Sequence, residues 1–208
     1  MHRALTSLCL LTLGWIGWQD PEGQEPPCQL EVSIDGVPHR LLAGQTVPIK
    51  LGDREVKVQA RVLPVRRFAA GGIAFDYPTN MAFEFEAEED AMRSWTLDGN
   101  DVILTVNWFS VGAPAAVAKD ILTNVAGQLD GDGKIVETKV VLGGKEVAAF
   151  AIDVEVAGNP LSYRAVPVSC PKGCAVLMLQ DSAKANEASD EMKIVLDLLA
   201  RTFAIAAK

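Results

Sequence analysis

Alternating apolar and polar residues, broken at short intervals by turn-forming residues, constrain this chain more than any other feature. Between residues 28 and 66 the apolar positions Leu30, Val32 and Ile34 alternate with polar ones, and Asp35-Gly36 then interrupts the run. Such alternation is typical of strands with one buried face, and Asp-Gly favours a two-residue hairpin turn. The segment is predicted to form a short antiparallel meander. It is too small for a core of its own, so we expect it to pack against the rest of the chain or to extend its sheet.

The remainder of the chain predicts strands on both sides of one helix, followed by a second helix. Pro114 opens a stretch in which apolar residues recur with helical spacing as far as Leu129, and Ser189 is the expected N-cap of the second helix. Short Gly-rich connections between the strands imply antiparallel pairing. The predicted fold class is α+β: an α/β/α sandwich with a mainly antiparallel sheet covered by two helices, plus a small N-terminal β meander.

The N-terminus predicts export. His2 and Arg3 precede the uncharged apolar stretch 4–16, and a polar, proline-rich tract follows it. The apolar stretch has the length of a signal-peptide core and is shorter than the roughly 20 residues of a membrane span. A periplasmic or secreted protein is therefore expected, with an uncleaved N-terminal anchor as the alternative. The predicted division is a signal peptide at 1–19, a Pro-rich linker at 20–27, a small β extension at 28–66 and a larger domain at 67–208.

Charge and composition argue against several function classes. The net charge is −8 and the pI is near 4.8, whereas binding to nucleic acid or anionic lipid needs clustered Lys and Arg. After signal cleavage His39 would be the one remaining histidine, and no serine lies in a Gly-x-Ser-x-Gly motif. We therefore predict no catalytic residue and no cofactor, and we expect the protein not to be an enzyme.

Two acidic segments have some features of a cation site. In the stretch that begins at Asp130 a calcium loop would need an oxygen ligand at the fifth position, where Lys134 stands. Glu84, Glu86 and Glu88 share one face of a predicted strand, which is typical of a solvated sheet edge that discourages aggregation. No metal site is predicted.

Cysteine spacing predicts a disulfide. Three residues separate Cys170 from Cys174 at the tip of a predicted hairpin, and residues that flank such a turn lie within disulfide range. Pairing of one of them with Cys28 is the alternative, and redox catalysis or metal binding is disfavoured by the spacing. Loss of Cys9 with the signal peptide would leave an odd number of cysteines.

Trp95 and Phe109 are the predicted contact residues for a ligand or a partner. Trp108 follows the phase of the apolar residues in its strand and is assigned to the core. Phe109 faces the other way, and Trp95 is less constrained. If Trp95 lies exposed beside a groove under the helix, it would serve as an anchor for a ligand or a partner.

The order of elements in residues 67–208 resembles that of the PsbP-like domain, an α/β/α sandwich also found in DcrB-type bacterial envelope proteins. The resemblance covers the strand Gly72–Pro78, the Trp95–Phe109 hairpin, the Gly143-Gly144 turn and the ending Leu198–Phe203. It implies an exported, non-enzymatic accessory or binding domain. No position here matches a metal or partner motif of the family, so no functional residue is carried over, and the 28–66 segment lies outside the resemblance.

The sequence therefore predicts an exported, non-catalytic accessory or protein-binding domain of the cell envelope. The alternative is a small-ligand or carbohydrate-binding protein that uses a groove between sheet and helix. Its partner would be a protein or a small ligand in the envelope, without nucleic acid and without membrane insertion after signal cleavage. A concave pocket with convergent polar groups favours the ligand, whereas a flat exposed aromatic patch favours a protein partner.

Overall fold

The structure, a computed structural model, describes residues 23–43, 58–88, 91–129, 133–182 and 187–206. The predicted signal peptide lies outside these residues. Within them no helix has the length and apolar character to cross a membrane. The elements in chain order are β1 (Cys28–Ile34), β2 (Val37–Leu42), β3 (Val58–Ala70), β4 (Ile73–Pro78), β5 (Ala82–Glu88), β6 (Met92–Asp98), β7 (Val102–Phe109), α1 (Pro114–Gln128), β8 (Val136–Leu142), β9 (Lys145–Val156), β10 (Asn159–Ser169), β11 (Cys174–Asp181), α2 (Asp190–Thr202) and β12 (Ala204–Ile205).

Two antiparallel sheets make up most of the fold, which confirms the α+β class and the antiparallel pairing. The seven-stranded sheet has the order β5-β6-β7-β11-β10-β9-β8, and the five-stranded sheet has the order β12-β4-β3-β1-β2. The sequence predicted most of these strands but not their division into two sheets. Alternation indicates which face of a strand is buried, and it does not indicate which strands are neighbours.

The described part of the predicted N-terminal meander consists of the β1–β2 hairpin and β3, and residues 44–57 of that segment lie outside the described residues. β3 pairs with β1 and not with β2, so the order β3-β1-β2 differs from that of a meander, and the segment continues into the five-stranded sheet. Asp35 and Gly36 both have positive φ, 48° and 82°, as a type I′ hairpin turn requires, and they join β1 to β2. β3 pairs with β1 through its first half and with β4 through its second. Because β3 runs from residue 58 to residue 70, it crosses the predicted domain boundary after residue 66. The β extension therefore shares a strand with the rest of the molecule.

The two faces of the seven-stranded sheet have different covers. On one face, α1 packs through Ala118 and Leu122 onto β9, β10 and β11. On the other face, residues of β3, β4 and α2 join the sheet in the larger hydrophobic core. α2 contacts β4 of one sheet and β8 of the other, so it lies against both.

α2 is fixed at both ends by residues outside the helix. At its N-terminus the Ser189 hydroxyl accepts a hydrogen bond from the Met192 amide at 3.0 Å, as the N-cap prediction expected. At its C-terminus the amides of Gly143 and Gly144 donate to the carbonyls of Leu199 and Ala200. A side chain at position 143 would collide with the Phe203 carbonyl, because its Cβ would lie 2.6 Å from that oxygen. The following β12, which has two residues, was not predicted.

The acidic strand β5 is one edge of the seven-stranded sheet, as its sequence indicated. Glu84, Glu86 and Glu88 are exposed along it, while Phe83 and Phe85 alternate with them and pack toward the core. The charges lie on an edge strand whose outer side has no partner among the described residues, and there they oppose pairing with another chain.

Candidate functional site

A concave site lies beside the N-terminus of α2. Strands β8, β9 and β10 form its floor, and residues 187 and 188, which lead into α2, form part of its wall. We call it the α2 cavity; its volume is about 380 Å³. Its position, between the sheet and the segment leading into a helix, is the kind of groove that the ligand-binding alternative requires.

Four polar side chains of the cavity come from adjacent positions on one sheet face. Ser162 on β10 is paired directly with Asp181 on β11 and with Asp153 on β9, so the three form one row across the sheet. Arg164 lies two residues farther along β10, on the same face, and is diagonal to both aspartates. Adjacent strands therefore place one guanidinium close to two carboxylates.

Asp181 is the one buried charged residue among those described, with 3% of its surface exposed. Its Oδ2 atom accepts a hydrogen bond from the backbone amide of Ser189 at 3.1 Å, which fixes the start of α2. Its Oδ1 atom is buried and has no hydrogen-bond partner. Burial of an unsatisfied carboxylate oxygen is costly, so this atom is a prepared acceptor for a donor that enters the cavity.

Arg164 supplies the positive group of the cavity. Its side chain is half-buried, and no carboxylate of the described residues lies within ion-pair distance of it. Most other described arginines are paired: Arg61 with Glu31 at 2.8 Å, for example. The guanidinium retains its donors for a ligand, which it can bind through two parallel hydrogen bonds.

The arrangement presents charged groups of both signs to a ligand, with the Ser162 hydroxyl in the same row as the two aspartates. His39 lies on β2, in the other sheet, where it is exposed and pairs with Val32. Among the described residues no three His, Cys, Asp or Glu side chains are grouped closely enough to hold a metal ion. Asp130, where the calcium-loop comparison began, lies outside the described residues.

A second concavity lies at the opposite end of α2 and differs in character. This apolar groove, of about 400 Å³, is lined mainly by apolar residues that include Leu142, Val147, Val168, Phe203 and Ile205. The face of the sheet thus changes from polar beside the N-terminus of α2 to apolar beside its C-terminus.

The predicted aromatic contact at Trp95 is corrected by the structure. Trp95 is completely buried, and its ring packs against Phe68 and Phe85 with centroid distances of 5.6 and 5.5 Å. It belongs to the core because β3 and β5 cover both sides of it, so it cannot serve as a surface anchor. Phe109 is half-buried at the end of β7 and lines neither cavity. Its role as a contact residue stays a prediction.

The predicted disulfide is absent as well. Cys28, Cys170 and Cys174 are free thiols, so neither the pairing of Cys170 with Cys174 nor the alternative with Cys28 is formed. The register explains this, because Cys174 pairs with Ser169 and Cys170 therefore belongs to the four-residue turn. Burial raises the pKa of the Cys170 and Cys174 thiols, which keeps them protonated and weakly reactive at neutral pH.

Sequence reasoning did not identify the α2 cavity, although one signal of it was present. On β10 the residues on the α2 side of the sheet are Ser162, Arg164, Val166 and Val168. Two polar residues therefore lie on the same face of the strand as two core valines. A polar residue at a core position of an alternating strand indicates a site or a partner. Its neighbours on β9 and β11 become apparent only from the strand order.

No protein-family model matches the chain, and no curated protein sequence matches it.

Proposed function

We propose that this protein is an exported, non-catalytic binding domain of the cell envelope, which takes a small polar ligand in the α2 cavity. The observation that carries the proposal is that Asp181, whose buried Oδ1 atom has no hydrogen-bond partner, and Arg164 line one cavity. A buried acceptor and a cation without an ion pair, on adjacent strands, are convergent polar groups of the kind that orient a ligand.

The same proposal includes a sandwich of the PsbP-like type. It is supported by α1 on one face of the seven-stranded sheet and by α2 near the other. The five-stranded sheet is an addition to that plan, since β3 and β4 share the second face with α2. Export is supported by the charged and apolar pattern of residues 1–19.

A ligand screen with a blocked cavity tests the proposed binding. Small polar solutes are screened for stabilisation of the full-length protein, because a ligand that binds only the folded state raises Tm. Ala151 lines the cavity, whereas Ala148 on the same strand is exposed and does not line it. We expect Ala151→Phe to abolish the stabilisation and Ala148→Phe to preserve it. Equal stabilisation of both variants would contradict a site in the α2 cavity.

An accessory subunit that binds another protein is the second candidate, favoured by exposed apolar residues on the five-stranded sheet. Val37 and Val62 are 57% and 60% exposed, and the strand register places them on one face with Leu30 and Leu41. Among the large exposed hydrophobic residues of the described chain none is aromatic, so an aromatic anchor does not support this candidate.

Cross-linking in the envelope, followed by reconstitution from purified components, tests the accessory role. If the candidate holds, a stoichiometric complex forms and the double variant Val37→Asp, Val62→Asp abolishes it. The matched change Val136→Asp on β8 alters an exposed valine of the other sheet and should leave the complex intact. A complex that survives the double variant would exclude this face.

A further inference from the structure

We infer that the ligand of the α2 cavity is an α-amino acid, which carries a primary ammonium group and a carboxylate on the same carbon atom. This inference rests on the proposed small-ligand function and names the ligand class. The ammonium would bind Asp181 and the carboxylate would bind Arg164. Ser162 lies between the two aspartates of the row.

The buried oxygen of Asp181 requires a hydrogen-bond donor. With Oδ2 occupied by the Ser189 amide and Oδ1 unpartnered, the carboxylate has one prepared position left. An ammonium group donates three hydrogen bonds, and a charged donor binds a carboxylate more strongly than a neutral hydroxyl does. Exposed Asp153, on the other side of Ser162, adds a second carboxylate to the same row.

Arg164 can bind an anionic group of the ligand. Its guanidinium has no ion pair within the described chain, although two aspartates are its diagonal neighbours. Diagonal neighbours in an antiparallel sheet have backbone positions about 7–8 Å apart, and the Arg164 guanidinium forms no ion pair with the Asp181 carboxylate. An α-amino acid places its two charged groups one carbon apart, so it can bridge these residues with one ion pair at each end.

The remaining charge of the cavity favours a basic side chain on the ligand. Glu137 and Glu187 line the cavity together with the two aspartates, against the single cation of Arg164. Four carboxylates and one guanidinium attract positive charge and repel acidic ligands. We therefore expect lysine to bind more tightly than alanine, and alanine more tightly than glutamate.

Calorimetric titration of the full-length protein with matched probes tests the inference. The probes are L-lysine, Nα-acetyl-L-lysine, which lacks the α-ammonium charge, and L-lysinamide, which lacks the carboxylate. We expect each modification to weaken binding about tenfold or more. Arg164→Gln should weaken L-lysine binding to a similar degree and should reduce the difference between L-lysine and its amide.

Two further variants complete the test: the first is a control, and the second tests the ammonium contact. Arg61→Gln removes the same charge from β3, where Arg61 pairs with Glu31, and should leave binding unchanged. Asp181→Asn retains an oxygen acceptor for the Ser189 amide but loses the charge, so it should weaken L-lysine binding more than binding of Nα-acetyl-L-lysine.

The possible outcomes separate this inference from the proposed function. Binding of L-lysine that is unaffected by acetylation, amidation and Arg164→Gln would overturn the inference. Binding of an uncharged solute such as glucose or inositol, blocked by Ala151→Phe, together with failure of L-lysine to bind, would overturn the ligand class and keep the cavity as a ligand site. Failure of every probe and every screened solute would overturn both.

Discussion

The two ends of one sheet face differ although the same strands form both. At one end β10 and β11 present Val166, Val168 and Leu177 to a core closed by α2 and the five-stranded sheet. At the other end the same strands present Arg164 and Asp181 to a cavity. The strands do not change direction or pairing between the two ends. The difference shows that what covers a face, rather than the sheet itself, decides whether the face serves as core or as site.

The largest expected loss of stability comes from a substitution at the apolar end of this sheet face. Leu177 is completely buried, so Leu177→Ala should lower the free energy of unfolding by about 2–5 kcal/mol, through lost burial and the cavity that remains. Urea denaturation measures the change. The matched control Leu42→Ala alters a leucine that is 44% exposed on β2 and should cost far less. Similar losses in the two variants would mean that the sheet face is not closed at Leu177.

The start of α2, which borders the polar end, should contribute less. Ser189→Ala removes the side-chain acceptor of the Met192 amide and should cost about 1 kcal/mol. Thr123→Ala is the control, because Thr123 is an exposed residue within α1 whose hydroxyl donates to the Lys119 carbonyl. It should change stability by no more than about 0.5 kcal/mol. An unchanged stability of Ser189→Ala would show that Asp181 alone fixes the start of the helix.

High pH should lower the free energy of unfolding, because one tyrosine and two cysteines that are wholly or partly buried are stable in the folded protein only in their neutral forms. Burial raises the pKa of Tyr77 above its usual 10.0 and the pKa of Cys170 and Cys174 above their usual 9.0. A group with a raised pKa in the folded state contributes full stability below its unfolded pKa and loses it at higher pH.

Unfolding free energies at several pH values check this expectation. They should fall as the pH rises above about 9 and should fall less in Cys174→Ala. A flat profile between pH 7 and pH 10 would contradict the burial of these groups.

The smallest expected change in stability comes from a substitution at the polar end of the sheet face. Asp181→Asn keeps an oxygen that accepts from the Ser189 amide, and it removes an unpartnered negative charge from a buried position. Unfolding free energy should change by less than about 0.5 kcal/mol, or rise slightly. A loss above about 2 kcal/mol would mean that Asp181 has a charged partner in the unliganded protein, which would weaken its role as a prepared acceptor.

Local patterns predicted most elements of the fold. The Asp35-Gly36 hairpin, the helix that begins at Pro114 and the N-cap at Ser189 depend on residues adjacent in sequence, and all three are present. The two-residue β12 has no pattern long enough to detect. The extension of β3 to Ala70 and the separation into two sheets depend on pairing between distant segments, which alternation does not specify.

The candidate site was less predictable than the fold. The predicted site residues are aromatic residues and cysteines, because exposed aromatic side chains are common binding contacts and closely spaced cysteines often form disulfides. Trp95 is in the core instead, and a shift of one position in the register removes Cys170 from the place opposite Cys174. The polar residues of the α2 cavity are each unremarkable in sequence. They form a site only through the order β9, β10, β11, which no local signal contains.

The way in which α2 is anchored has a kinetic consequence. Its C-terminal end bonds to the β8–β9 turn, and the Thr202 carbonyl accepts from Arg67, a contact that spans 135 residues of the chain. Contacts of such separation form slowly, because closing the intervening chain costs entropy before any contact repays it. Until α2 docks, the apolar half of the sheet face is exposed to water and to other unfolded chains. The rate at which α2 docks therefore governs how long a folding molecule remains prone to aggregate.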